Sequence, residues 1–421
     1  MEKMYTVAII GVGARGGDVY GSLLVENKKD LFKIVSICDL RQERLDRFGE
    51  IFGVPENARF QDEETFFQEK RADLLIVATP DKCHVRHCLK GFELGYNIMT
   101  EKPLTDNKEE CEALLAAQKK AGTKALVCHV LRYAPAFVKA AELVQQGAIG
   151  QLVVIDALER VGFMHQAHSY VRGNWRNLEV SAPMILAKCC HDLDLLQFYA
   201  NSKCKSIASV GDLVYFKKEN EPAGATDRCI DCPHQNTCPY SAKMHYMDGW
   251  GWHGNPEDRW PWNVIANAPL TAEKIEKAVK EGPYGRCVYR CDNNVVDHQV
   301  TTMTFENGVK ANLTMTAFTA NGGRRYTFHG TLGELVLDEE ANTLTLHKYG
   351  KEPEVSTLSD LNEKGYGHGG GDGKLINQLY GMLSNSSTTT TSFEASVESH
   401  LMGICAEESR VKGGELIYLH K

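Results

Sequence analysis

The chain has 421 residues, 43% of them hydrophobic and 24% charged, with a formal net charge of −8. That length exceeds one ordinary core and predicts two domains, while no apolar run approaches the length of a bilayer span, which argues against a membrane protein. An acidic balance with no long basic run excludes nucleic acid as the main partner, and the direct entry into a strand, with no apolar leader, predicts a cytoplasmic protein with reduced cysteines.

Residues 5–10, Tyr-Thr-Val-Ala-Ile-Ile, form a continuous apolar run of the kind a parallel sheet buries on both faces. Gly11, Gly13 and Gly16 follow at G-x-G-x-x-G spacing, enclosing Ala14 and Arg15. Gly11 allows a tight turn, Gly13 lets backbone approach a pyrophosphate, and Gly16 permits close helix–strand packing. The helix that begins there points its N–H groups at phosphate. The next apolar run, 32–38, ends in Asp39, whose carboxylate is placed to accept both hydroxyls of an adenosine ribose. The same charge repels a 2′-phosphate, so NAD is expected over NADP. Arg41, two residues on, either pairs with such a phosphate or is solvated.

Residues 41–70 read as helix, short strand or turn, then helix. The run 73–79 is a buried strand ending in Thr79 and Pro80, where ligands of an open α/β sheet bind, and His84 begins the following helix. A strand over 95–100 delivers Glu101 and Lys102 to the same edge. An amphipathic helix over 107–121 and a strand over 125–129 complete the alternation that marks a doubly wound parallel sheet. The expected boundaries are a nucleotide-binding Rossmann domain over 1–130 and an α+β domain over 131–421. Strand-like runs at 207–216, 295–305, 308–318, 324–329, 334–337 and 343–348 predict an open, mainly antiparallel sheet there. A cysteine- and tryptophan-rich insertion interrupts it at about 220–290, and 386–392 reads as a surface loop before a last helix.

Glu101-Lys102-Pro103 after a Rossmann half, with Thr79-Pro80 and His84, resembles the Gfo/Idh/MocA family of oxidoreductases. Arg132-Tyr133, Gly147-Ala-Ile-Gly150, Trp175-Arg176 and His191-Asp-Leu-Asp194 extend the resemblance over about half the chain. It implies hydride exchange with a sugar-like or cyclitol substrate and a C-terminal sheet that holds a homo-dimer or homo-tetramer. It also implies that His84, Glu101, Trp175 and Arg176 join the glycine turn and Thr79-Pro80 around the nucleotide. Arg132, Lys102, Lys188, His191 and Asp194 then belong to the substrate side. Removing hydride from a carbinol needs a base for the hydroxyl proton and a donor for the oxygen. His191 suits the first role and Lys102 the second. Asp194, three residues after His191, shares its helix face and either orients the ring or holds a substrate hydroxyl. Many relatives carry an aspartate four residues before the histidine, where this chain has Ala187. Lys188 beside it either brings a cation to the pocket, favouring an acidic or oxygen-rich substrate, or points into solvent.

Two features lie outside that pattern. Cys229-x-x-Cys232 with Cys238 offers three ligands for a structural zinc, with His234, Cys204, Cys287 or Cys291 as a fourth, or is a set of reduced thiols. An iron–sulfur cluster would need four thiolates. Trp250, Trp252, Trp260 and Trp262, with His253 and Asn255, form either an aromatic lid over a carbohydrate or a loop packed on the sheet. Asp297-His298 and the glycine-rich run from His368 to Asp372 also stand within the pocket's reach. The expected function is NAD-dependent oxidation at a secondary hydroxyl of a sugar, glycoside or cyclitol. Two alternatives stand beside it: redox-neutral glycoside cleavage or rearrangement with tightly held NAD, and a non-catalytic binding protein on the same scaffold.

Overall fold

Tyr5–Ile10 (β1) is buried along nearly its whole length, as a strand with no polar face requires. The computed structural model describes residues 3–248, 260–267, 269–362, 367–387 and 389–420. With β1, the strands Phe32–Cys38 (β2), Arg59–Phe60 (β3), Leu74–Val77 (β4), Asn97–Thr100 (β5) and Ala125–Val127 (β6) form a parallel sheet in the order β3-β2-β1-β4-β5-β6. The strand order reverses between β1 and β4, and in such sheets the ligand crevice opens at that switch point, beyond the strands' carboxyl ends.

Successive β1 side chains divide between two cores. Val7 and Ile9 pack with Tyr20, Leu45 and Phe48, while Ala8 and Ile10 pack with Cys88, Phe92 and Leu114. Each large apolar side chain so buried contributes about 1.5–3 kcal/mol. Local signals place the flanking helices. In Lys108–Ala121 the Asn107 side chain accepts the Glu110 N–H, acids occupy the first turn, lysines the last, and Gly122 ends it at φ +64°.

The second sheet has nine strands: Leu152–Arg160 (β7), Cys204–Asp212 (β8), His298–Phe305 (β9), Lys310–Thr316 (β10), Gly323–Gly330 (β11), Gly333–Asp338 (β12), Thr343–Lys348 (β13), Glu354–Thr357 (β14) and Ile417–Tyr418 (β15). Their order is β14-β13-β12-β11-β7-β10-β9-β8-β15, antiparallel except between β7 and β10. One face packs on the helices Pro135–Gln145 and Cys190–Ala200, where Phe137, Leu193 and Leu196 meet Ile155, Leu313 and Phe328. The insertion runs between β8 and β9 and carries two small apolar clusters, one around Phe216 and Tyr240, the other around Trp262 and Ile275.

The chain returns to the first sheet near its end. Gly371–Ser384 lays Leu375, Ile376 and Leu379 into the core of Val7 and Ile9, and Phe393 and Val397 join the core on the other side. Between them Thr391 is fully buried: its carbonyl accepts the Val127 N–H at 3.1 Å and its hydroxyl lies 2.7 Å from that of Tyr133. The end of the stretch expected as a surface loop is therefore a strap on the sheet edge. Among the described residues no helix is long and apolar enough to cross a membrane.

Candidate active site

The glycine turn closes as its spacing dictates. Gly11 sits at φ +89°, and a Cβ there or at Gly16 would collide with backbone, at Ala78 and at Gly11 respectively. The helical segment that starts at Ala14 has no side-chain cap, so its first N–H groups are free for an anion. Above Gly13 the nearest atoms to an added Cβ belong to the Arg44 guanidinium, at 3.2 Å, so the backbone there is open to a ligand rather than to more backbone. Arg44 also lies 3.5 Å from Asp39, whose other oxygen accepts the Arg41 N–H at 3.0 Å. The Arg41 side chain turns instead to Asn267, at 3.4 Å. Arg44, not Arg41, is thus the cation beside the Asp39 carboxylate. This uncapped turn with a carboxylate at the second strand's tip fits NAD.

Along the same edge, His84 is buried with one ring nitrogen 2.6 Å from the Pro103 carbonyl and the other 2.7 Å from that of Thr79. It clasps the Thr79-Pro80 turn to the end of β5. The Thr79 hydroxyl lies 2.9 Å from the His87 ring. Glu101 is buried and accepts from Arg15 at 2.8 Å, Tyr20 at 2.5 Å and the Lys102 N–H at 3.1 Å. Burial alone would raise its carboxyl, but Arg15 and Lys102 hold it down to about 2. Burial works to lower the Lys102 ammonium, yet Cys190, Glu101 and Asp81 keep it above its ordinary value, so it stays charged.

Cys190–Ala200 brings His191 to that lysine. The imidazole is held well below its ordinary value, by burial first and then by Lys102, His129 and Arg324. Its Nδ1 is buried with no hydrogen-bond partner among the described residues, and the His129 ring stands 5.9 Å away. Asp194 does not orient it. That carboxylate is 1% exposed and takes Arg132 in a two-bond fork at 2.6 and 2.7 Å. Arg132 is committed there and to the Thr390 carbonyl at 2.9 Å. Trp175 reaches Asp81, at 3.4 Å, whereas Arg176 turns away to Asp292, at 2.8 Å.

Lys188 points neither into solvent nor at an open pocket. Its Nζ lies 3.1 Å from Glu159, which also meets Arg324 at 2.8 Å, and Arg324 and Tyr326 bind Asp192. Burial pushes the Glu159 carboxyl up, helped by Asp192 and opposed by Arg324 and Lys188. Lys188→Met should therefore act on folding rather than on substrate charge. Its expected cost is at most about 3 kcal/mol in denaturant unfolding, because Arg324 still holds the carboxylate. A selective rise in KM for acidic substrates, with stability kept, would contradict this.

The zinc expectation is not met. Cys229, Cys232 and Cys238 line one small void with Cys287, but among the described residues no three His, Cys, Asp or Glu side chains are grouped to hold a metal. Arg172 enters this cysteine cluster: its buried guanidinium lies 3.4 Å from the Cys229 sulfur. Of the tryptophans, Trp262 is buried in the insertion core, while Trp260 stands 5.3 Å from the His165 ring and 5.1 Å from that of His168. Trp250, Trp252, His253 and Asn255 lie outside the described residues. Asp297 is fully buried, accepting the Val214 and Tyr215 N–H groups and facing the His298 ring at 2.9 Å, a strand-end lock rather than a pocket group.

Residues 5–129 match the oxidoreductase family's NAD-binding Rossmann fold, and residues 141–415 match its C-terminal alpha/beta domain. The chain belongs to the Gfo/Idh/MocA oxidoreductase family. It is 22% identical to the putative oxidoreductase YteT of Bacillus subtilis (strain 168) over 395 residues, 90% of this chain and 89% of that protein. With the D-glucoside 3-dehydrogenase of Escherichia coli (strain K12) it is 28% identical over 159 residues, 37% of this chain and 44% of that protein. An oxidoreductase from Agrobacterium radiobacter, solved with NAD+, L-tartaric acid and magnesium, shares the fold with a TM-score of 0.69, 15% identity and 99% coverage of both chains.

Several groups around the site of this Gfo/Idh/MocA chain were not announced by its motifs. His129 follows β6 with its ring 5.9 Å from that of His191; Arg44 lies beside Asp39; Asp81 receives Trp175; Glu159 and Arg324 underlie Lys188.

Proposed function

We propose that the chain transfers hydride between NAD and a secondary hydroxyl of a sugar, glycoside or cyclitol. NAD, when bound, supplies the hydride acceptor. Lys102 donates to the carbinol oxygen and His191 takes up the hydroxyl proton. One observation carries the reading: Lys102 follows β5 at the carboxyl edge of the first sheet, and the buried His191, whose Nδ1 has no partner among the described residues, feels its charge. The likeness to a D-glucoside dehydrogenase supports the substrate class. Reduction of NAD by a panel of sugars and cyclitols, followed by the absorbance of the reduced nicotinamide, tests it.

NAD is preferred to NADP because the buried Asp39 stands at the ribose edge. Asp39→Ala should weaken NAD by about 1.5–3 kcal/mol, the usual worth of a charge-assisted hydrogen bond, and free Arg44 to attract a 2′-phosphate. Calorimetric titration with both nucleotides checks this; tighter NADP than NAD binding by the unaltered protein would contradict it. Self-association belongs on the open face of the second sheet, where Val210 and Val300 are exposed beside Thr302 and Asn312. Light scattering should give a dimer or tetramer, which a charge at Val300 should weaken; a monomer would refute the assignment.

A further inference from the structure

His191 has a proton to receive, and among the described residues no carboxylate is bonded to its ring. Position 187 carries no carboxylate, Asp194 is spent on Arg132, and the buried Nδ1 of His191 has no partner among the described residues. A second histidine faces it. The His368 ring lies 6.2 Å from that of His191, its Nδ1 is 3.0 Å from Asp372, and its side chain is 40% exposed. Asp372 is itself 1% exposed and fixed through its other oxygen by Arg15 at 2.7 Å. His368 stands at φ +53°, a left-handed conformation that a non-glycine residue keeps only where its surroundings fix it.

We propose that His368 and Asp372 form a proton-relay pair that receives the proton His191 takes from the substrate. The proposal rests on the hydride-transfer reading. The substrate C–H electron pair leaves as hydride to the nicotinamide, and the O–H bond breaks toward one nitrogen of His191. The other His191 nitrogen gives up its proton, directly or through one water, to Nε2 of His368. The His368 Nδ1–H donates to Asp372, as a base oriented by a carboxylate does, and the exposed ring then returns the proton to solvent. In reduction every transfer reverses.

The charged groups around His368 agree with that direction. Asp372 and, behind it, Arg15 face it from one side, and His191 from the other. From the neighbouring Val130–Tyr133 and Pro135–Gln145 segments, Arg132 is held by Asp194, and Lys139 pairs with Glu142 at 3.6 Å. A cation therefore rests better on His368 than on buried His191, which Lys102 disfavours.

Histidine carbon NMR of the whole protein, without substrate, tests the pair first. His191 should stay neutral into the acid range. Asp372→Asn should lower the His368 midpoint by at least about one pH unit. Turnover comes second: His368→Gln should lower kcat by about 10²-fold with NAD affinity kept, and added imidazole should restore much of the loss in His368→Ala. A His191 midpoint above that of His368, an unmoved His368 midpoint in Asp372→Asn, or full turnover in His368→Gln would each overturn the relay. A protein that reduces no NAD with any polyol, yet shows the coupled titration, would overturn the hydride reading and with it the relay's substrate, while the pair's proton affinity stood.

Discussion

His191→Ala and Lys102→Met are each expected to cut turnover by about 10²–10⁴-fold, the usual scale for a positioned acid or base. Lys102 follows β5 at the carboxyl edge of the first sheet, and its charge helps burial hold the His191 imidazole down. Neither belongs to the Gly11–Gly16 turn or to Asp39, the groups proposed to hold the adenosine half of the nucleotide. NAD affinity should therefore change little in His191→Ala, and modestly in Lys102→Met because Lys102 lies beside Glu101 on the nucleotide edge. The double variant should lose less than the product of the two single losses, since groups acting on one oxygen act as a unit. Steady-state kinetics with calorimetric NAD binding reads all of this, and near-full turnover in His191→Ala would contradict it.

The second large effect is on folding. Asp194 and Arg132 are both almost wholly buried and bound by a two-oxygen fork. Asp194→Ala leaves a guanidinium buried without its counter-ion, which costs about 3–5 kcal/mol. Replacing both at once, Asp194→Leu with Arg132→Met, should recover much of that loss, because the desolvation cost of the charges disappears with them. Chemical denaturation of the single and double variants decides the matter. Unchanged stability in Asp194→Ala with turnover lost would return Asp194 to a catalytic place beside His191.

The nucleotide half was legible because its signals are local. A strand buried on both faces is apolar at every position, as Val7 to Ile10 are, and the glycine spacing and Asp39 follow within one βαβ unit. The second sheet was legible from its successive strand-like runs: 343–348 is β13 itself, and 324–329 and 334–337 lie one residue inside each end of β11 and β12. What the sequence hid depends on pairings across long separations. An arginine in a family motif, Arg132, reads as a substrate ligand until the fold sets Asp194 against it. Nothing local says that Lys188 turns to Glu159, or that Arg172 enters the cysteine loop. The return of Gly371–Ser384 to the first sheet was equally hidden, because an amphipathic helix announces that it needs a partner without naming one. His368 and Asp372 reach the pocket by that return.

The hydride claim itself is tested most directly by following the label. A cyclitol or glycoside deuterated at its secondary carbinol carbons is incubated with the protein and NAD, and the nicotinamide is examined by mass spectrometry. Deuterium transferred from carbon to the nicotinamide ring, lost in His191→Ala, is the predicted result. A nicotinamide that stays free of deuterium across sugars, glycosides and cyclitols, in a protein that binds NAD, would contradict the account.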